Sequence, residues 1–156
     1  EVVIPCSGPD FFTTNKVFRA NSSGESQDMN VAKQKARSNA EAELARSITV
    51  TVKAVTDNYV NSREMNNKEE VVERFESLNR QVVDQTLQGI RIICEKNVKT
   101  EQNTYKTYLA IELSADELVS KYNERLSKDE RLKIDYDYEK FKDTFDKEME
   151  KRSKGN

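Results

Sequence analysis

The 156-residue chain has no histidine and no tryptophan, and it has only four glycines, two prolines and two cysteines. Without histidine, it lacks the side chain that most often acts as a general base near neutral pH or as a metal ligand. Four single glycines cannot build a glycine-rich phosphate loop, and the two cysteines do not have the CxxC spacing of zinc or redox sites. We therefore predict a protein that is not an enzyme, with no catalytic residues, no cofactor and no metal.

The sequence also lacks a long apolar run and an excess of one charge. No stretch of about 18 apolar residues occurs, so no membrane-spanning segment is predicted. The 26 basic and 28 acidic residues leave a net charge of −2, and they alternate rather than form a basic stripe, so nucleic acid is not an expected partner. Charged residues make up 35% of the chain, against about 25% in typical domains. This composition predicts a compact core with helices whose outer faces are heavily charged.

The distribution of turn-forming residues predicts the organisation of the chain. Residues 1–15 contain both prolines, and we expect them to form an irregular N-terminal arm. Residues 16–126 are predicted to form the main domain, and residues 127–156 a C-terminal amphipathic helix with a frayed tail. The chain begins at Glu1 rather than at methionine, and we expect that a signal peptide has been removed.

The stretch "AKQKARSNAEAELARSITVTVKAV", residues 32–55, changes its hydrophobic period near the middle. Before the change, apolar residues recur every three or four positions, which predicts a helix over residues 27–46. The residues on this stripe are Met29, Ala32, Ala36, Ala40 and Leu44. After it, Ile48, Val50 and Val52 alternate with polar residues, which predicts a half-buried antiparallel strand. We expect the helix to pack tightly on the sheet that this strand enters.

The remaining segments predict three further strands and three helices. Residues 16–26 indicate a first strand, and residues 90–98 and 105–113 indicate two strands that pair antiparallel. Residues 78–87 favour a helix, whereas residues 69–77 fit either a helix or a strand. Two Ser-x-x-Glu patterns, at Ser114 and at Ser127, each predict a helix start. The predicted fold is α+β, a small antiparallel sheet covered by the alanine-striped helix, with amphipathic helices at the C-terminus.

The last helix carries an apolar stripe on an otherwise charged segment. The stripe consists of Ile134, Tyr138, Phe141, Phe145 and Met149. One interpretation is that it docks on its own domain. The other is that it forms a surface for a partner or for self-association, because the stripe is aromatic and lies near the end of the chain.

Cys6 and Cys94 also have two interpretations. In a secreted protein they could form a disulfide that ties the arm to a strand; otherwise they are unpaired thiols, with Cys94 a small core residue. Lipidation of Cys6 is not expected, because "VVIPC" lacks the leucine and small residues that precede a lipid-bearing cysteine.

Three segments resemble the bacterial Lpp-twenty envelope lipoprotein family, which is related to N-terminal domains of flagellar outer-membrane ring assembly proteins. They are "AKQKARSNAEAELARSITVTVKAV", "LQGIRIICEKNV" and "YKTYLAIELSADEL". The resemblance covers about residues 17 to 120. The residues that carry it are Ala32, Ala36, Ala40, Leu44, Ala45, Ile48, Leu87, Gly89, Ile90, Tyr105, Tyr108 and Leu109.

The resemblance implies a small α+β domain in the periplasm or at the outer membrane, without enzymatic activity. We therefore expect a secreted cell-envelope protein that acts as a structural or protein–protein interaction module. Its expected partners are other envelope proteins or a second copy of the chain. The missing lipobox before Cys6 is a departure from the family and puts membrane anchoring in doubt. The alternative is a periplasmic module that binds a small molecule or a glycan in a tyrosine-lined pocket between helix and sheet.

Overall fold

The computed structural model describes residues 3–63, 68–129 and 136–154, and over these residues it confirms the α+β fold. A strand is followed by two helices, a two-strand hairpin and two more helices. Their bounds are β1 Val17–Ser26, α1 Met29–Asn61, α2 Lys68–Thr86, β2 Arg91–Lys99, β3 Tyr105–Ser114, α3 Ala115–Lys128 and α4 Tyr138–Lys154. None of the helices in the described ranges combines the length and the apolar character that a membrane span needs.

The sheet of the described residues has the strand order β1–β3–β2, with both pairs antiparallel. The strands predicted at residues 16–26, 90–98 and 105–113 are confirmed, as is the pairing of the last two. The pairing of β2 with β3 shifts register between Ile92 and Cys94, which indicates a β-bulge. Because β3 lies in the middle, β2 is an edge strand.

The strand predicted at residues 47–55 is wrong, because α1 continues without interruption to Asn61. The residues that α1 buries in this part of the chain recur every three or four positions, so they form one helical face. They are Ile48, Thr51, Val52, Val55, Thr56, Tyr59 and Val60. Val50, which the strand prediction placed with the buried residues, is 48% exposed.

Two interactions allow this β-branched segment to be helical. Thr49 and Thr51 each donate a hydrogen bond to the carbonyl oxygen four residues earlier, at 2.7 and 2.8 Å, so the threonine hydroxyls are satisfied within the helix. The apolar face of the same segment packs against α2 and α4. Burial of this face outweighs the strand propensity of valine, isoleucine and threonine, which amounts to less than about 1 kcal/mol per residue.

The first half of α1 lies unusually close to β1. Ala32, Ala36, Ala40 and Leu44 are fully buried, as the alanine stripe predicted, whereas Met29 is 38% exposed. Opposite the stripe, Gly24 of β1 leaves so little room that a Cβ atom there would lie 2.5 Å from the Ala36 backbone nitrogen. The small residues on both elements therefore determine how closely the helix approaches the sheet.

The four helices enclose the second part of the core, and three predictions about these helices can be compared with the structure. Residues 69–77, which fitted either a helix or a strand, belong to α2. The Ser114 hydroxyl accepts a hydrogen bond from the backbone N–H of Glu117, as predicted for a helix start. The start predicted at Ser127 is wrong, because α3 continues to Lys128 and the Ser127 hydroxyl donates to the carbonyl oxygen of Glu124.

Candidate functional site

The structure corrects the interaction surface predicted on the last helix. Phe141, Phe145 and Met149 are at most 1% exposed, because they belong to the core cluster and α4 packs on α1 and α3. Tyr138 is 37% exposed, and Ile134 lies outside the described residues. The apolar stripe of α4 therefore packs on its own domain, the first of the two interpretations, and its buried part is not available to a partner.

Cys6 and Cys94 form a disulfide, which attaches the N-terminal arm to β2. The arm is attached again at the opposite side of the sheet, where the Thr13 hydroxyl bonds to both the N–H and the carbonyl oxygen of Arg19 on β1. Because β3 lies between β1 and β2, the arm crosses the face of the sheet that is opposite α1. This covering accounts for the complete burial of Ala110 on β3.

Replacing both cysteines with serine is expected to lower the free energy of unfolding by about 3 kcal/mol, because the bond closes a long loop in the unfolded chain. The two cysteines are 88 positions apart. Urea titration of the wild-type protein and of the Cys6→Ser/Cys94→Ser variant, each with and without dithiothreitol, measures this difference. Dithiothreitol should lower the urea midpoint of the wild-type protein and leave that of the variant unchanged. An identical midpoint for the oxidised and reduced wild type would contradict the prediction.

Under the arm, one carboxylate joins all three strands. Glu112 of β3 is 8% exposed. Its two oxygens accept from Arg19 Nε at 3.3 Å and from Arg91 Nη2 at 3.1 Å. Arg19 also donates to the carbonyl oxygen of Phe12 in the arm, at 3.2 Å. The carboxylate is therefore neutralised on both sides, and its role in this arrangement is to hold the arm and the strands together.

The tyrosines that were expected to line a pocket lie in the helical core and on β3. Tyr59 and Tyr122 are buried in the helical core, where the Tyr122 hydroxyl donates to Asn79 Oδ1. Burial raises the pKa of Tyr122 far above its ordinary value, so its hydroxyl stays protonated near neutral pH. Tyr105 and Tyr108 lie on β3, beneath the ammonium groups of Lys99 and Lys106.

An open groove of about 520 Å³ lies instead between α2 and α3. Its charged walls interact with each other: Arg74 Nε lies 3.0 Å from Asp129 Oδ2. Arg125 donates to the side-chain oxygens of Gln81 and Gln85, at 3.1 and 3.0 Å. These groups brace the two helices, and none of the residues that line the groove is aromatic.

The outer edge of β2 is the candidate site that the structure adds. Across the described ranges, the backbone of β2 forms hydrogen bonds only with β3, so the amide and carbonyl groups on its other side are open. Helix α1 packs mainly on β1 and β3, and Ile92 on β2 is 46% exposed. An unpaired strand edge can pair with another extended chain. This edge was not predicted, although charged residues on both faces of residues 91–99 are typical of an edge strand.

The outer edge of β1 is different, because the arm already contacts it. Thr13 bonds to Arg19, and the backbone N–H of Thr14 donates to the carbonyl oxygen of Val17 at 3.0 Å. The disulfide attaches the other end of the arm to β2 itself. Of the two sheet edges, β2 is therefore the one that is open along its length, and the disulfide at Cys94 holds this strand in place.

Comparison of the sequence with models of protein families and with characterised proteins finds no match.

Proposed function

We propose that the protein is a non-enzymatic module of the cell envelope that acts by protein–protein contact, and that it makes this contact along the outer edge of β2. The observation that carries the proposal is the open backbone of this strand, in a sheet whose other edge is partly covered by the arm at Val17 and Arg19 and by side chains of α1 at Ser23 and Glu25. Main-chain hydrogen bonds along such an edge supply affinity, and the neighbouring side chains supply specificity.

The disulfide supports a compartment outside the reducing cytoplasm. Disulfide bonds form and persist in secreted and periplasmic proteins, and they are rare in cytosolic ones. The bond between Cys6 and Cys94 fixes the arm across the sheet, so the module as described is suited to an oxidising environment. This agrees with the periplasmic or outer-membrane location that the family resemblance implies.

The environment of the buried carboxylates supports a role other than catalysis. Glu112 is held between two arginines, and Glu148, which is 5% exposed, accepts from Arg152 Nε at 3.2 Å. In the described part of the chain, every buried side-chain nitrogen and oxygen has a hydrogen-bond partner. A general acid or base needs a group that is free to exchange a proton with a substrate. The buried polar groups here are used for internal contacts.

Site-specific photo-cross-linking tests the proposal. A benzophenone amino acid replaces Ile92 on β2 or, as the matched control, Lys147 on the outer face of α4, and the protein is produced from its complete gene in its own cells. We expect irradiation to yield an adduct with another protein from position 92 and none from position 147. Equal adducts from both positions, or none from position 92, would overturn the β2 edge as the contact site.

A further inference from the structure

We propose that the occupant of the β2 edge is an extended segment of a different protein, with acidic side chains opposite the lysines of β2 and an apolar side chain opposite Ile92. It would add a fourth strand beside β2. This inference rests on the proposed function, because it names the partner of that same edge. The charges along β2, and the faces on which the strand register places them, determine which partner fits this edge.

The charge of β2 differs from that of the whole chain. The full sequence has a net charge of −2, but β2 carries three cations, Arg91, Lys96 and Lys99, and a single carboxylate, Glu95. That carboxylate lies 3.8 Å from Lys33 Nζ on α1, so its charge is already offset. Arg91 is offset in the same way by Glu112, which leaves Lys96 and Lys99 as the charges of the open edge. Both are positive, so the edge is complementary to an acidic segment.

The register distributes these side chains over two faces. Arg91 pairs with Glu112 and Lys96 with Tyr108, so both basic side chains lie on the face that the arm crosses. Ile92 pairs with Ile111 on the opposite face, the side of α1. Lys99 pairs with Tyr105 and Glu95 with Leu109, so these two side chains lie on the same face as Ile92. Since side chains alternate along a strand, a segment beside β2 would meet Lys96 on one face, and Ile92 and Lys99 at separate positions on the other. Acidic residues opposite the lysines and an apolar residue opposite Ile92 fit this pattern.

A second copy of the chain fits this edge less well. Pairing β2 with β2 would bring two net positive strips together, and like charges across a strand pair are destabilising. Lysines on an edge strand protect it against pairing with a chain of like charge. An acidic partner removes the charge penalty.

Binding of a defined peptide tests the proposed partner class. The probe is a fluorescently labelled ten-residue peptide of alternating glutamate and valine, and its control alternates lysine and valine. Fluorescence anisotropy measures the affinity of the disulfide-bonded protein for each peptide. We expect the glutamate peptide to bind more tightly, and its affinity to fall as the salt concentration rises, because exposed charges are screened.

Amide hydrogen exchange followed by NMR shows whether the peptide pairs with the strand. If it adds beside β2, amides within residues 91–99 gain protection and those of β1 do not. Binding with no protection in β2 would mean that charge alone attracts the peptide, and this result would overturn the inference. Equal affinity for the lysine peptide would also overturn it.

A charge reversal provides the matched variant. Lys96→Glu changes an exposed residue on the arm face of β2, and Lys68→Glu makes the same change in net charge at the start of α2. We expect Lys96→Glu to weaken binding of the glutamate peptide about fivefold, which is the effect of one or two exposed charge pairs, and Lys68→Glu to leave the affinity unchanged. An equal loss in both variants would contradict a local site.

The two proposals can fail separately. An adduct at position 92 together with no binding of the glutamate peptide would overturn the acidic partner and leave the contact edge supported. An adduct at position 92 that consists of two copies of this chain would also overturn the acidic partner. Peptide binding at β2 with no adduct at position 92 in cells would count against the proposed function and would support the edge only as a peptide acceptor.

Discussion

Replacing Phe141 with alanine is expected to lower the free energy of unfolding by about 4 kcal/mol, because it removes an aromatic side chain from a closely packed core. Phe141 is 1% exposed. Its ring centroid lies 5.4 Å from that of Tyr59 and 5.5 Å from that of Tyr122. The side chain thus joins α4 to α1 and α3 at one point.

Thermal unfolding measures this effect, with Tyr138→Ala as the matched control. A loss of 4 kcal/mol corresponds to a decrease in Tm of about 10 °C for a chain of this size. Tyr138 lies on the same helix but is 37% exposed, so its replacement should cost less than about 1 kcal/mol. If Phe141→Ala left Tm unchanged while it altered the oligomeric state, α4 would be an interaction surface and the packing described above would be wrong.

The helix predicted over residues 27–46 is correct and the strand predicted over residues 47–55 is wrong for the same physical reason. Residues 29–46 contain alanines at helical spacing and no β-branched run, so local propensity and tertiary packing favour the same structure. In residues 47–55, apolar residues at positions 48, 50 and 52 alternate, but Ile48, Val52 and Val55 also share a helical face. Both periods are present there, and only the helices that pack on this segment select between them.

The candidate site could be predicted only in part. The composition of residues 91–99 indicated a strand, and the pairing of this strand with residues 105–113 followed from the short connection between them. Which strands lie at the edges depends on where β1 enters the sheet, and β1 pairs with β3 rather than β2. That contact joins segments about 90 residues apart in the sequence, and no local pattern encodes it. The open edge of β2 is therefore a property of the assembled sheet.

A second large effect is expected at Gly24, where even alanine should destabilise the protein by about 4 kcal/mol. A Cβ atom at this position would lie 2.5 Å from the Ala36 backbone nitrogen and 2.6 Å from the Ala32 carbonyl oxygen. Overpacking against movable side chains costs about 1 to 3 kcal/mol. Because both of these contacts are main-chain atoms of α1, the whole helix would have to move away from β1, and the cost should exceed that range.

Gly89→Ala is the matched control, because it adds the same methyl group at a position where the nearest side chain can move away. Its Cβ would lie 3.0 Å from Glu117 Oε2, the end of a flexible side chain, and 3.7 Å from the nearest leucine methyl. We expect a change of less than about 1 kcal/mol there, against a decrease in Tm of about 10 °C for Gly24→Ala. Two equal and small changes would show that α1 can move outward from the sheet. In that case the alanine stripe would not determine how closely α1 approaches β1. The close packing of α1 on β1 would then not be needed to support the sheet to which β2 belongs.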